Sequence, residues 1–162
     1  MGAGKTSVGR TLAAQLGWRF VDLDEFVEAR EGRSIPEIFR LAGEPAFRQA
    51  ERGALLELLP QCDSVPLVMA VGGGAFVQPE NAQTLRQADL FTIFLDASVE
   101  ELQRRCVPDA GGRPLFGDRF RQLYEERHPS YMQADLRINT AGLTVAEVAA
   151  EIIKGLRIEG SE

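Results

Sequence analysis

The chain has 162 residues, 44% of them hydrophobic, which suits one compact domain with a sizeable core. A net charge of -6 and a pI near 5.0 argue against a general binder of nucleic acid or membrane surfaces. No apolar run approaches the roughly 20 residues that span a bilayer, the first residues do not read as a secretory signal, and Cys62 and Cys106 read as reduced thiols of a cytoplasmic protein.

The first segment, Gly4-Lys5-Thr6, ends a pattern of the form G-x-x-x-x-G-K-[ST], whose first glycine would fall two residues before Met1. A helix follows, with Val8, Leu12 and Leu16 at i, i+4 and i+8 and Gly17 as its stop. Residues 19–24 (RFVDLD) predict a short strand ending in acids, and residues 24–30 a helix broken at Gly32. Ser34 and Glu37 form a capping box that starts a helix to about Leu41; Gly43 breaks it, and a longer helix runs from about Glu44 to Leu59. Residues 66–71 (PLVMAV) read as a strand buried on both faces, leading into Gly72-Gly73-Gly74. Pro79 opens a helix, residues 90–96 form another buried strand, and Ser98 and Glu101 cap the helix after it. Residues 107–118 have the glycines and prolines of a loop, residues 118–127 are helical, residues 135–140 form the last strand, and Thr144 and Glu147 cap the last helix. Strands alternating with helices imply an α/β fold, a parallel sheet with helices on both faces.

The opening pattern has a physical meaning. In a phosphate loop the backbone N–H groups converge at a helix start and hold phosphate oxygens. Gly2 and Gly4 permit the tight turn, Lys5 would reach the β- and γ-phosphates, and Thr6 would offer its hydroxyl to Mg²⁺. The alternative is a glycine-rich segment that merely leads into a helix. Asp22 and Asp24 follow at βαβ distance; alternation along a strand would face both carboxylates one way, one toward Mg²⁺ and one toward a substrate. They could equally be acids at a helix N-terminus, where they are favourable anyway.

The chain resembles the shikimate kinase family from Met1 to about Ile153. The stretches that carry the resemblance are GAGKTSVGR, FVDLDEFVE, SIPEIFRLAGEPAFRQAE, AVGGGAFVQPEN, LDASVEEL, RPLF and ERHPSYMQAD, in that order. It implies a three-layer P-loop kinase fold with sheet order 2-3-1-4-5, helices on both faces and a lid at about 107–118, in a single domain over 1–158 followed by a short tail. The strand equivalent to the family's first is absent from this sequence. A misplaced start, with roughly ten further residues upstream, or a true truncation would each account for that.

The resemblance implies transfer of the γ-phosphoryl of ATP to the 3-hydroxyl of shikimate, with Mg²⁺. ATP would lie against Gly2, Ala3, Gly4, Lys5, Thr6 and Ser7, with the lid's Arg113 on its phosphates and Arg105 near adenine, the last a looser match. Thr6 and Asp22 match the metal site. Asp24 matches the acid on the shikimate hydroxyls, and Lys5, Asp24 and Arg113 would carry the chemistry. Arg48 and Arg127 match the arginines that grip the shikimate carboxylate, and Gly72, Gly73 and Gly74 the turn against the substrate. Forked arginine donors suit that carboxylate better than lysine. Phe39 and Phe47 are expected to wall the substrate ring.

Arg48, three residues before Glu51, could also be an ordinary surface charge, and the glycines only a turn. His128 is expected to be exposed, and Trp18 and the remaining phenylalanines to fill the core. The protein is expected to be a cytoplasmic monomer with small-molecule partners only, binding neither nucleic acid nor membrane. Competing readings are a kinase of another small hydroxy acid such as gluconate, and a truncated, non-catalytic nucleotide-binding module.

Overall fold

The computed structural model describes residues 2–62, 64–106 and 118–159. The predicted lid, Arg113 included, lies outside the described residues. Four strands, joined in two parallel pairs, and eight helices are found among the described residues: α1 Lys5–Leu16, β1 Arg19–Asp22, α2 Leu23–Glu31, α3 Ile35–Cys62, β2 Leu67–Ala70, α4 Gly73–Phe76, α5 Pro79–Gln87, β3 Ile93–Asp96, α6 Val99–Cys106, α7 Asp118–Tyr131, β4 Leu136–Asn139 and α8 Val145–Glu159. The chain divides into two compact units, one of Met1–Leu12 with Phe91–Glu162, the other of Ala13–Leu90.

In the second unit β1 pairs with β2 in parallel, Arg19 opposite Leu67 and Asp22 opposite Ala70. Their core is built by Val21, Leu23, Val27, Ile38, Phe47, Leu55 and Leu58, with Ala75 and Leu85 added from α4 and α5. The two long helical segments predicted around Gly43 are there. Gly43 has φ 78° and ψ 179° and kinks α3, a conformation open to glycine and costly for any residue with a Cβ. Helix α3 continues through Pro60 to Cys62, past its predicted end. Ser34 and Glu37 form their cap, with the Ser34 hydroxyl and N–H both bonded to the Glu37 carboxylate at 2.7 and 2.9 Å.

In the first unit β3 pairs with β4, Ile93 opposite Leu136 and Asp96 opposite Asn139. Ala97, Val99, Leu102 and Phe120 form a small core that Ala3 and Tyr124 flank. Helix α8 packs on β4 through its buried face of Val148, Ala149 and Ile152. Its cap is the predicted one, Thr144 and Glu147 satisfying each other's N–H groups.

The pairs β1–β2 and β3–β4 match the family neighbours 2-3 and 4-5, and no strand among the described residues joins the two pairs. Among the described residues each strand therefore has a strand partner on one edge only. This changes one expectation: β2 is half-buried at Leu67, Val68 and Met69 and buried only at Ala70, whereas its unbroken apolar run predicts burial on both faces. Strand β3 is likewise half-buried at Ile93 and Phe94. Trp18 is 42% exposed and Phe91 41%, so neither fills the core. Trp18 follows Gly17, whose φ of 68° turns the chain out of α1, and the Trp18 N–H closes that turn on the Ala13 carbonyl at 2.9 Å. The indole is thereby left at the surface.

Candidate active site

The second unit brings several of the predicted residues together. Strand β1 ends at Asp22, whose side chain caps α2 by accepting the Asp24 N–H at 3.0 Å. Asp24 therefore sits in the first turn of α2. The expectation that both acids share a strand face is corrected: the cap turns the chain helical at Leu23, and α2's N-terminal end sets where Asp24 lies.

From β2 the chain enters the glycine turn, which is the short helix α4 and not a loop. The Gly72 carbonyl accepts the N–H groups of Ala75 and Phe76 at 2.9 and 3.2 Å. A Cβ added at Gly72 would meet Asp24 Oδ1 at 3.3 Å and Glu51 Oε1 at 3.7 Å; one added at Gly74 would meet Arg48 Nη1 at 2.7 Å. Asp24, Arg48, Glu51 and the glycine backbone thus converge, and the glycines leave room for the charged side chains.

Arg48 is half-buried. Its Nη1 donates to Glu51 at 2.8 Å, and its Nε and Nη2 donate to Glu44 at 3.2 and 3.0 Å. The guanidinium lies 5.0 Å from the centroid of the Phe47 ring, which stands 4.8 Å from that of Phe39. Burial works against the Arg48 charge, but the bonds to Glu51 and then Glu44 outweigh it and hold its pKa above the ordinary arginine range. The surface-charge alternative does not hold for this pair, because Glu51 is 1% exposed. The sequence reading assigned Glu51 no role. Its signal was the i, i+3 spacing to Arg48 on one helix.

The first unit holds the other predicted residues. Gly2 and Gly4 have φ of 71° and 77°, the turn geometry the phosphate loop needs. The Gly4 carbonyl accepts the Val8 N–H at 2.9 Å, so α1 begins directly after the loop, with Lys5 and Thr6 in its first turn. Arg105 is held in its plane, Nε on Glu101 at 2.8 Å and Nη1 and Nη2 on Thr140 at 3.2 and 3.3 Å. Arg127 bonds the Tyr131 hydroxyl one helical turn on; burial raises the Tyr131 pKa and Arg127 partly opposes that. His128 is half-buried, its ring 5.3 Å from Tyr124 and 6.0 Å from Phe94, and is not exposed as expected. Phe94 of β3 and Tyr124, one turn earlier on α7, are the rings that flank it.

A family model for shikimate kinase matches residues 1–157. The chain belongs to the shikimate kinase family. It is 45% identical to the shikimate kinase of Synechococcus sp. strain RCC307, over 96% of this chain and 80% of that one. It is 40% identical to a shikimate kinase of Thermus thermophilus, over 96% of this chain and 85% of that one. Among solved structures, shikimate kinase from Acinetobacter baumannii in complex with shikimate superposes with a TM-score of 0.91 at 34% identity, over 100% of this chain and 91% of that one. That of Aquifex aeolicus superposes at 0.84, also at 34% identity, over 99% and 93%. The α/β P-loop kinase fold expected from the sequence is the fold of the chain.

Proposed function

We infer that the protein is a shikimate kinase, transferring the γ-phosphoryl of ATP to the 3-hydroxyl of shikimate to give shikimate 3-phosphate, in aromatic amino-acid biosynthesis. The observation that carries the substrate assignment is the convergence of Asp24, Arg48 and the glycine turn in one unit of a shikimate kinase family member.

In this reading Arg48 and Arg127 grip the shikimate carboxylate, Asp24 holds the ring hydroxyls, and the backbone of Gly72, Gly73 and Gly74 lies against the ring. Phe39 and Phe47 supply its apolar wall. The loop of Gly2, Ala3, Gly4, Lys5, Thr6 and Ser7 receives the ATP phosphates, and Arg105, its plane already fixed, offers a face to adenine. Asp24 takes the proton of the 3-hydroxyl as that oxygen bonds the γ-phosphorus. The bond from that phosphorus to the bridging oxygen breaks, and ADP leaves. Lys5 and Arg113 stabilise the negative charge that spreads over the transferred group.

The Thr6 hydroxyl and the Asp22 carboxylate, the latter through water, would hold Mg²⁺; they are hard oxygen donors of the kind the ion takes. No cluster of three or more His, Cys, Asp or Glu that could hold a metal occurs among the described residues, so the remaining ligands would be phosphate oxygens and water. When bound, the ion neutralises phosphate charge. We place the enzyme in the cytoplasm as a monomer; among the described residues no helix is long and apolar enough to cross a membrane.

A coupled ADP-release assay on shikimate beside a panel of sugar acids tests the assignment. Turnover of shikimate, with Asp24→Asn lowering kcat, is expected. Equal turnover of gluconate would overturn the substrate, and ATP binding without transfer to any of them would overturn the kinase.

A further inference from the structure

Asn81, in the first turn of α5, is 2% exposed. A buried amide must find partners for both ends. Its Nδ2 donates to the carbonyl of Ala75 at 3.2 Å, and its Oδ1 accepts from Arg52 Nη1 at 3.2 Å. Arg52 is steadied by Glu80, Nε to Oε2 at 3.4 Å. Arg52 lies on α3, one turn after Arg48. The chain of bonds therefore runs from the helix that bears Arg48 and Glu51, through Asn81, to the Ala75 carbonyl in the glycine turn.

The tie matters because α4 has only four residues. A single helical turn has little stability of its own and takes its shape from what it is anchored to. Ala75 is fully buried in the core, and a second, longer contact reaches the same turn, from Gln78 Nε2 to the Gly74 carbonyl at 3.4 Å. The turn's other face is set against Arg48: the Cβ position at Gly74 is 2.7 Å from Nη1. A shift of a few tenths of an ångström in the turn changes where the glycine backbone meets Arg48.

We propose that Asn81 is a positioning residue for the substrate, fixing the glycine turn at its Ala75 carbonyl to the Arg48-bearing helix through Arg52. The proposal rests on the reading that shikimate lies against the glycine turn and Arg48. Asn81 touches no substrate itself; it sets the spacing between two groups that do.

The test uses Asn81→Asp, which keeps the side chain's shape and the oxygen facing Arg52 but turns an acceptor toward the Ala75 carbonyl. The KM for shikimate should rise about tenfold, as for a lost buried bond, while KM for ATP and kcat stay within about twofold to threefold. Arg52→Ala, at a half-exposed position, should raise the same KM about threefold and decides the question alone if Asn81→Asp does not fold. If both variants lower the melting temperature yet leave the shikimate KM at the wild-type value, Asn81 is merely structural and the proposal is overturned. Arg48→Ala is measured beside them. A raised KM there with unchanged KM in the other two defeats the Asn81 proposal alone. An unchanged KM in all three removes the placement of shikimate, and the proposal with it.

Discussion

Glu51 carries its carboxylate almost completely buried, and the guanidinium of Arg48 answers it at 2.8 Å from one turn earlier on α3. The carboxylate could not stay ionised there without a partner. Arg48 thus has two roles, neutralising Glu51 and facing the glycine turn. Arg48→Ala should therefore weaken shikimate binding tenfold or more and also destabilise the fold. The loss should be about 2 kcal/mol, below the 3–5 kcal/mol of a fully buried pair, because Arg48 keeps some contact with water. The double variant Arg48→Ala/Glu51→Gln should recover most of the stability and none of the affinity. Urea unfolding curves and shikimate KM values on the three proteins check both halves.

Gly74 and Gly53 offer a matched pair. In each, an added Cβ would come 2.7 Å from an arginine Nη1, that of Arg48 at Gly74 and that of Arg30 at Gly53. Both obstacles are ends of flexible side chains, so both alanine variants should fold. Arg30 can swing away, since its bonds are to the exposed Glu31 and Glu57 and to the Ala50 carbonyl. Gly53→Ala should leave kinetics unchanged and gain up to about 1 kcal/mol from helix propensity. Gly74→Ala pushes Arg48 out of its bond to Glu51 and should raise the shikimate KM several-fold. Equal kinetics in the two variants would mean that Arg48 does not bind substrate from its observed position.

The sequence made local structure legible wherever a signal was short-range. The Gly43 break, the Ser34 and Thr144 caps and the helix stops at Gly17 and Gly32 are set by a few consecutive residues, and all stand in the structure. Most of what differs depends on partners distant in sequence, and one difference on a residue that serves two elements at once. The burial of β2 depends on how many strands flank it, and an apolar run does not report that. Asp24 leaves the strand face because Asp22, the strand's last residue, is also the helix cap. Glu51 is charged and helical, which reads as surface; only the fold, with Arg48 over it and Gly72 beside it, shows it buried. Asn81 gave no signal at all, since its partners are Arg52, 29 residues before it, and the Ala75 carbonyl.

Gly4 and Lys5 separate backbone from side-chain demands in the phosphate loop. Gly4 has φ of 77°, and a Cβ there would meet nothing within 4 Å. Space is open, so the constraint is the left-handed backbone. Gly4→Ala should cost about 1–2 kcal/mol and weaken ATP binding through a distorted turn. Lys5→Ala leaves the backbone alone and removes the charge that the proposed function assigns to the transferred phosphoryl; kcat should fall about 100-fold or more with stability little changed. Single-turnover kinetics with thermal melts would distinguish the two, and a Lys5→Ala protein with wild-type kcat would exclude Lys5 from the transition state.

Tyr124 places a titration at the alkaline end. Its hydroxyl donates to Asp96 Oδ1 at 3.1 Å beside the Arg137 that also bonds Asp96. Burial, and then the neighbouring Asp96 charge, push its pKa up to about 12 from 10.0. The folded state thus holds the phenol proton more tightly than the unfolded chain does. That contribution is complete below the unfolded pKa. It diminishes from about pH 10, where the unfolded chain begins to lose the proton, and is gone above about pH 12. Stability of the wild type should therefore decline across that window. Tyr124→Phe should be less stable near neutral pH, having lost the bond to Asp96, and should decline less steeply above pH 10. Tyr131, whose pKa is also raised, accounts for part of the remaining slope. Denaturant unfolding from pH 8 to 11.5, with tyrosinate absorbance followed in parallel, measures both curves. Parallel slopes would show that the Tyr124 proton is held no more tightly in the fold than out of it.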